Sequence, residues 1–291
     1  MYNAKIILDS VSSAGRRLTT WELTYPRFVH AELMTHRLFS RNAASGRAIP
    51  NEKVLICTEI DPVMPVFWGK NQKGMQAAEE LSSEEIEKVK VVWLRLRDQA
   101  VAGSRELAAL GLHKQLCNRV VEPWMFITVI LSATSFDNWF HLRDHRQAQP
   151  EIAWVARKMH QLYIENQPKR LRVGQWHLPL VTPQDCEDAG FQVFMDGKDK
   201  EQIVELLKKV SVGRCARVSY LTHDGRRDLA EDVALHDKLL AGMSTDDPLH
   251  MSPFEHVAQA LDDPNEQSGN FRGWRQYRKM IKGEHFGEVL P

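Results

Sequence analysis

What the sequence lacks excludes several classes of protein. Only four of its 291 residues are cysteine, Cys57, Cys117, Cys186 and Cys215, and they lie far apart with no C-x-x-C pair. That spacing argues against a disulfide framework or a zinc site and for reduced thiols in a cytoplasmic protein. Neither sign of charge is in surplus, since 38 basic residues stand against 38 acidic ones. Broad binding to nucleic acid or to an anionic membrane is therefore not expected, and any anion site has to be a local cluster of arginines. No apolar run approaches the roughly 18 residues that cross a bilayer. The longest, around Met125 to Ala133, is interrupted by threonine and serine. The opening residues, Met-Tyr-Asn-Ala-Lys, lack the charged-then-apolar pattern of a secretory leader. Internal repeats and low-complexity tracts are also missing.

The remaining composition, 43% apolar and 26% charged, is that of a globular protein long enough to bury a substantial core. Ala4 to Leu8 and Leu18 to Tyr25 alternate as strands, with Ala14-Gly15 in the turn between them. Phe28 to Thr35 suits a short helix, and residues 41–77, punctuated by proline and glycine, read as a long irregular loop. Ser82-Ser83-Glu84-Glu85 is a capping-box pattern opening a helix that runs to Gly111. Trp124 to Leu142 is apolar almost all round and reads as a buried helix. Pro150 opens another helix that stops before Pro168. Residues 168–198 read as loop. Amphipathic helices follow around Ile203–Val210 and Leu229–Leu240. The stretch FRGWRQYRKM (271–280) suits a helix packing Phe271, Trp274 and Tyr277 onto the core. The fold class is α+β, a mixed or antiparallel sheet flanked by helices with a helical arm, in a single domain.

Chemistry concentrates in THRLFSRNAASGRAIP (35–50). Arg37, Arg41 and Arg47 sit there with one histidine and several hydroxyls, and a turn at Ser45-Gly46-Arg47 offers backbone N–H groups beside a guanidinium, as a phosphate requires. A solvated basic loop would have the same composition. Asn118-Arg119 and Arg143, the latter in LRDHRQAQPEI, add further cations. HMSPFEH (250–256) places two histidines and a glutamate within seven positions, but Pro253 interrupts the helix a metal site would need and no H-E-x-x-H is present. No metal is expected.

These segments resemble the flavin-dependent thymidylate synthases. THRLFSRNAASGRA is similar to that family's R-H-R-x-x-S-x-N-E-x-S-x-R-Y signature, NRVVEPW to A-R-x-V-L-P, and LRDHRQAQPEI to L-R-x-x-x-x-A-Q-x-E-I. CARVSY (215–220) and HMSPFEH resemble the two remaining blocks. The general look is that of bacteriophage members. In the family the last two blocks usually come first, so the sequence resembles a circular permutation, and residues 211–260 are expected to pack against residues 4–50.

The resemblance implies reductive methylation of dUMP to dTMP in the cytoplasm, with FAD as cofactor and NADPH and 5,10-methylenetetrahydrofolate as co-substrates. It also implies a homotetramer with sites between subunits. It assigns His36, Arg37, Asn138, Ser219, His250, Ser252 and Glu255 to the flavin. Glu32, Ser45, Gly46, Arg47, Arg119 and Arg143 are assigned to the nucleotide. Arg143 would stabilise charge on the uracil, and Ser45 would bind and polarise it rather than attack it, since no base stands near it in sequence.

Four positions depart from the pattern. Thr35 replaces the first arginine of R-H-R, Ala43 the glutamate and Ala48 the tyrosine. Glu32 stands where a glutamine is usual, and its carboxylate would repel a phosphate unless paired with an arginine. The nucleotide arginines are intact and the flavin set is thinned. Two other readings stay open: hydroxymethyl or methyl transfer to a phage pyrimidine nucleotide, and a nucleotide-binding relic without turnover.

Overall fold

A computed structural model describes residues 1–196, 201–218, 227–242, 251–282 and 284. The long hairpin comes first: β1 (Asn3–Ser12) pairs antiparallel with β2 (Arg17–Pro26). Gly15, at φ +82°, makes the turn that a side chain would strain. After α1 (His30–Met34) come β3 (Ser40–Ala43), α2 (Asn51–Ile60), α3 (Ser83–Ala109) and α4 (Lys114–Cys117). Next are β4 (Phe126–Ala133), α5 (Asp137–Arg143), α6 (Pro150–Glu165) and β5 (Lys169–Leu171). The main sheet has the order β3-β4-β2-β1-β5, antiparallel except for the β1–β5 pair.

The segment expected to be one buried helix from Trp124 to Leu142 is instead the strand β4 followed by the short α5. The apolar run is continuous because both faces of β4 are covered, which removes the alternation that marks a strand. Ile127, Val129 and Leu131 enter the core built with Trp21, Leu23, Tyr25 and the buried side of α6. Ile130, on the other face, packs against Cys215 and Val218. The β-branched Ile127 to Ile130 stretch decides for extended backbone.

Three further expectations are corrected. Residues 41–77 are less irregular than proline and glycine suggest, since most of β3 and all of α2 lie within them. Residues 168–198 hold β5, β6 (Trp176–His177) and α7 (Pro183–Met195), the last opened by a Thr182–Asp185 capping box. The 271–280 stretch is not helical. It forms β9 (Phe271–Arg272) and β10 (Trp274–Gln276), separated by Gly273 at φ +69°, and ends in a 3-10 turn. Phe271 and Trp274 still reach a core, with Leu18, Leu171, Ala258 and Ala260.

The helical arm is α3, 27 residues long and capped by both halves of the Ser82–Glu85 box. Only Val101 and Ser104 of it are buried. The chain continues through α8 (Glu201–Val218), α9 (Leu229–Ala241), a 3-10 turn at Ser252–His256, β7 (Ala258–Ala260) and β8 (Gln267–Ser268). Arg214 ties α7, α8 and α9 together from inside, donating to both carboxylate oxygens of Asp185 (2.5 and 2.8 Å) and to Asp232 (2.8 Å). It also takes the carbonyl of Leu180, a residue at φ +65°. Asn42 of β3 donates to the Cys215 carbonyl of α8 at 2.8 Å, which joins the strand before the basic loop to the far half of the chain.

Candidate active site

The basic loop is held from behind. Past β3, the Ala44 N–H donates to the Thr128 carbonyl (2.8 Å), and the chain turns with Ala48 N–H on Ser45 O (2.9 Å). Buried Asn118 donates its amide to Gly46 O (2.6 Å) and Ile49 O (3.1 Å) and accepts from Asn51 at 2.8 Å. Lys114 Nζ reaches Ala48 O at 2.9 Å. Fixing the carbonyls behind the turn leaves exposed Arg47, with half-buried Ser45 and Gly46, at the front. The Ser45 hydroxyl accepts from the Arg47 N–H (3.3 Å), a contact that orients it. Exposed Arg119 pairs with Glu122 at 2.7 Å, and Glu122 also takes Arg27 at 2.6 Å. Sequence reasoning named Asn118 only as the neighbour of Arg119. A single amide in a loop carries no pattern that reveals what it clamps.

A second group forms around Arg143 at the C-terminal end of α5, where the helix dipole favours a cation. Its Nη1 pairs with Glu32 Oε2 at 2.5 Å, its Nε donates to His36 Nε2 at 3.2 Å, and its Nη2 reaches Thr35 Oγ1 at 3.4 Å. Glu32 is therefore engaged by an arginine, which neutralises the carboxylate that would otherwise repel an anion. Burial pushes the Glu32 pKa up, Arg143 opposes that, and Glu151 adds to it. His36 is pushed down by burial and by the nearby Arg143 and Arg41, which keeps the ring neutral and able to accept from Arg143. It lies stacked on Phe39 and edge-on to Trp139. Thr35, which replaces the family's arginine, is part of the Arg143 cradle.

Of the loop group only Gly46 borders a cleft, and that cleft is not the one at Arg143. Gly46 and Arg27 border a mostly apolar cleft of about 350 Å³. Glu32 and Arg143 border another of about 600 Å³.

The residues expected to meet a flavin are placed as follows. Ser219 and His250 lie outside the described residues. His36 is spent on Arg143, and the Glu255 carboxylate on Arg278 at 2.5 Å. Arg37 and Asn138 are exposed, and each is next in sequence to one member of the His36–Trp139 ring contact; Ser252 is half-buried. A guanidinium, an amide and a hydroxyl are chemically suited to a pyrophosphate, a ring edge and a ribityl chain, so these three fit the group, while His36 and Glu255 have partners within the chain.

Behind the site runs a buried polar chain that the sequence did not disclose. Asn42 gives its amide hydrogen to Cys215 O, so its oxygen accepts from His256 Nε2 at 2.6 Å. His256 Nδ1 then accepts from Ser132 (2.8 Å), Ser132 from Thr20 (2.6 Å), Thr20 from His177 Nε2 (2.9 Å), and His177 Nδ1 from Ser10 (2.8 Å). One donor at the end thus fixes every proton along the chain. Burial takes both imidazoles down to about 3, His256 lowering His177 further, so both stay neutral.

The α+β fold thus sets exposed Arg47 at a turn and hydrogen-bonded Arg143 at a helix end. Residues 18–169, a little over half of the chain, match the model of the thymidylate synthase complementing protein family, Thy1, and the chain belongs to that family. Two solved structures of a UMP/dUMP methylase PolB from Streptomyces cacaoi are similar to it. They were determined with 5-Br UMP and 5-Br dUMP and share 15% and 14% identity with this chain. Each has a TM-score of 0.45 over 57% of this chain, and they are covered over 89% and 91% of their own length. No curated protein sequence matches the chain. No helix among the described residues is long and apolar enough to cross a membrane.

Proposed function

We propose that the protein methylates dUMP at C5 to give dTMP, taking the carbon from 5,10-methylenetetrahydrofolate and the reducing power from NADPH through FAD. The Arg143 cradle is the observation that carries this reading. Glu32, His36 and Thr35 hold the guanidinium so that it can face a uracil carbonyl and stabilise charge that moves onto the ring. Ser45, Gly46, Arg47 and Arg119 bind the phosphate and sugar. A homotetramer with sites between subunits would let the loop of one chain and the Arg143 group of another meet a single nucleotide. Arg37, Asn138 and Ser252 would hold the flavin, which when bound supplies the hydride that completes the methyl group.

The test is retention of FAD after desalting, followed by NADPH oxidation that depends on dUMP and folate, with product analysis. Running the same assay with dCMP separates this reading from methyl transfer to another pyrimidine. A protein that retains no flavin and oxidises no NADPH refutes both.

Two substitutions follow from the loop geometry. Ser45→Ala should lower kcat/KM by about tenfold or less, the size of one neutral hydrogen bond; a complete loss would mean Ser45 is the nucleophile. Asn118→Ala should raise the KM for dUMP about tenfold by releasing the loop carbonyls. It should also speed tryptic cleavage after Arg47, while the circular dichroism stays that of the parent.

A further inference from the structure

The cleft at Arg143 has two unlike walls. One carries the polar groups Glu32, Arg143, Arg146, Gln147, Gln149 and Glu151, interspersed with Phe28, Ala148 and Pro150. The other comes from a single excursion of the chain, residues 64–81, which contributes Pro65, Phe67, Gly69, Met75, Gln76 and Ala77. A pyrimidine has the same division, with carbonyl and N–H groups on one edge and the C5–C6 bond on the other.

The excursion is a preformed hairpin rather than a slack loop. Gly69 bridges Glu80, Lys70 N–H donates to Glu79 O (2.8 Å), and Leu81 N–H to Trp68 O (2.9 Å). At its tip Gln72 Nε2 holds Gln76 O at 2.6 Å. Residues 71–76 are nevertheless exposed, and Met75 is fully so although it borders the cleft. Two hydrogen bonds tie the hairpin across to the polar wall: Val66 N–H to Glu151 Oε1 at 3.1 Å, and Gln76 Nε2 to the Gln147 carbonyl.

Glu151 is the unusual partner. It is 3% exposed, and among the described residues no cation pairs with it; its other oxygen accepts only the Gln149 amide, at 3.2 Å. Burying a carboxylate without a counter-charge is costly. What it gains here is a charge-assisted bond to the backbone of the hairpin.

We propose that residues 64–81 are a flap that closes over the base held at Arg143, with Glu151 as its latch. Phe67 and Met75 then form the apolar wall that meets the C5 edge. This rests on the pyrimidine-nucleotide reading above. Glu151 is a positioning residue in this scheme, acting on the substrate through the flap.

The test is limited trypsinolysis after Lys70 and Lys73, with and without dUMP, alongside equilibrium dialysis of dUMP on the same full-length protein. Bound dUMP should slow cleavage at these sites. Glu151→Ala should abolish the protection and raise the dUMP KM about tenfold, the size of a hydrogen bond to a charged group. Glu151→Gln keeps an acceptor oxygen and should retain the protection. Gln76→Ala lies on the surface, removes the second tie without touching the core, and should weaken the protection. Binding of dUMP without any change in cleavage, or protection undiminished in Glu151→Ala, overturns the flap alone. Absence of dUMP binding in dialysis overturns the nucleotide reading and the flap with it.

Discussion

Replacing Arg143 by alanine is expected to lower kcat/KM for dUMP about a thousandfold, the usual consequence of deleting a pre-oriented donor at a site of developing charge. On the proposed reading the loss should fall mainly on kcat, because the guanidinium would serve the ring as its electrons shift, whereas Arg47 and Arg119 would serve the phosphate and affect KM. Arg143→Lys keeps the charge but loses the fork that meets Glu32 and His36 together. It should recover no more than about a tenth of the lost activity, since a point charge does not replace a bidentate donor. Steady-state methyl transfer with purified variants decides the matter. An alanine variant within tenfold of the parent would remove Arg143 from the chemistry.

Acid should unfold the protein unusually early. His177 and His256 sit at about 3 in the folded state, brought there by burial. In an unfolded chain each returns to about 6.5, so below that pH the unfolded state binds protons that the folded state refuses. They cost nothing well above pH 6.5, and the penalty grows as the pH drops from there toward 3. Between pH 7 and pH 5 the two together should cost about 4 kcal/mol, a large part of the 5–15 kcal/mol that holds an ordinary domain together. Guanidinium midpoints at pH 7, 6 and 5 should fall steeply. A midpoint unchanged across this range would mean that the buried chain of hydrogen bonds does not hold the rings neutral. His256→Gln should reduce the pH slope by about half, because one of the two titrating groups is gone.

The parts of the fold legible in the sequence were those with local signals. Gly15 marks the hairpin turn, the Ser82–Glu85 box starts α3, and Pro150 starts α6. β4 was misread because covering both faces of a strand erases its period. β9 and β10 were misread because three aromatics spaced by three imitate a helix, when Gly273 was breaking the chain between them. The site residues came from motif resemblance, since nothing local joins Glu32 to Arg143 across 111 positions. The buried polar chain was the least legible feature. Thr20 and Ser132 are lone hydroxyls inside apolar strands, and the sequence shows them only as interruptions of a hydrophobic run.

That polar chain also orders events in time. Asn42 cannot complete its bonds to Cys215 and His256 until the second half of the molecule exists. At a synthesis rate of about 5–20 residues per second, the 214 positions separating Asn42 from His256 correspond to on the order of ten seconds or more. During that interval β3, an edge strand of the main sheet, is made but not yet tied to the second half of the chain, and an exposed strand edge of this kind is prone to mispairing. The nascent chain is therefore most vulnerable to mispairing while its basic loop is complete in sequence and incomplete in structure.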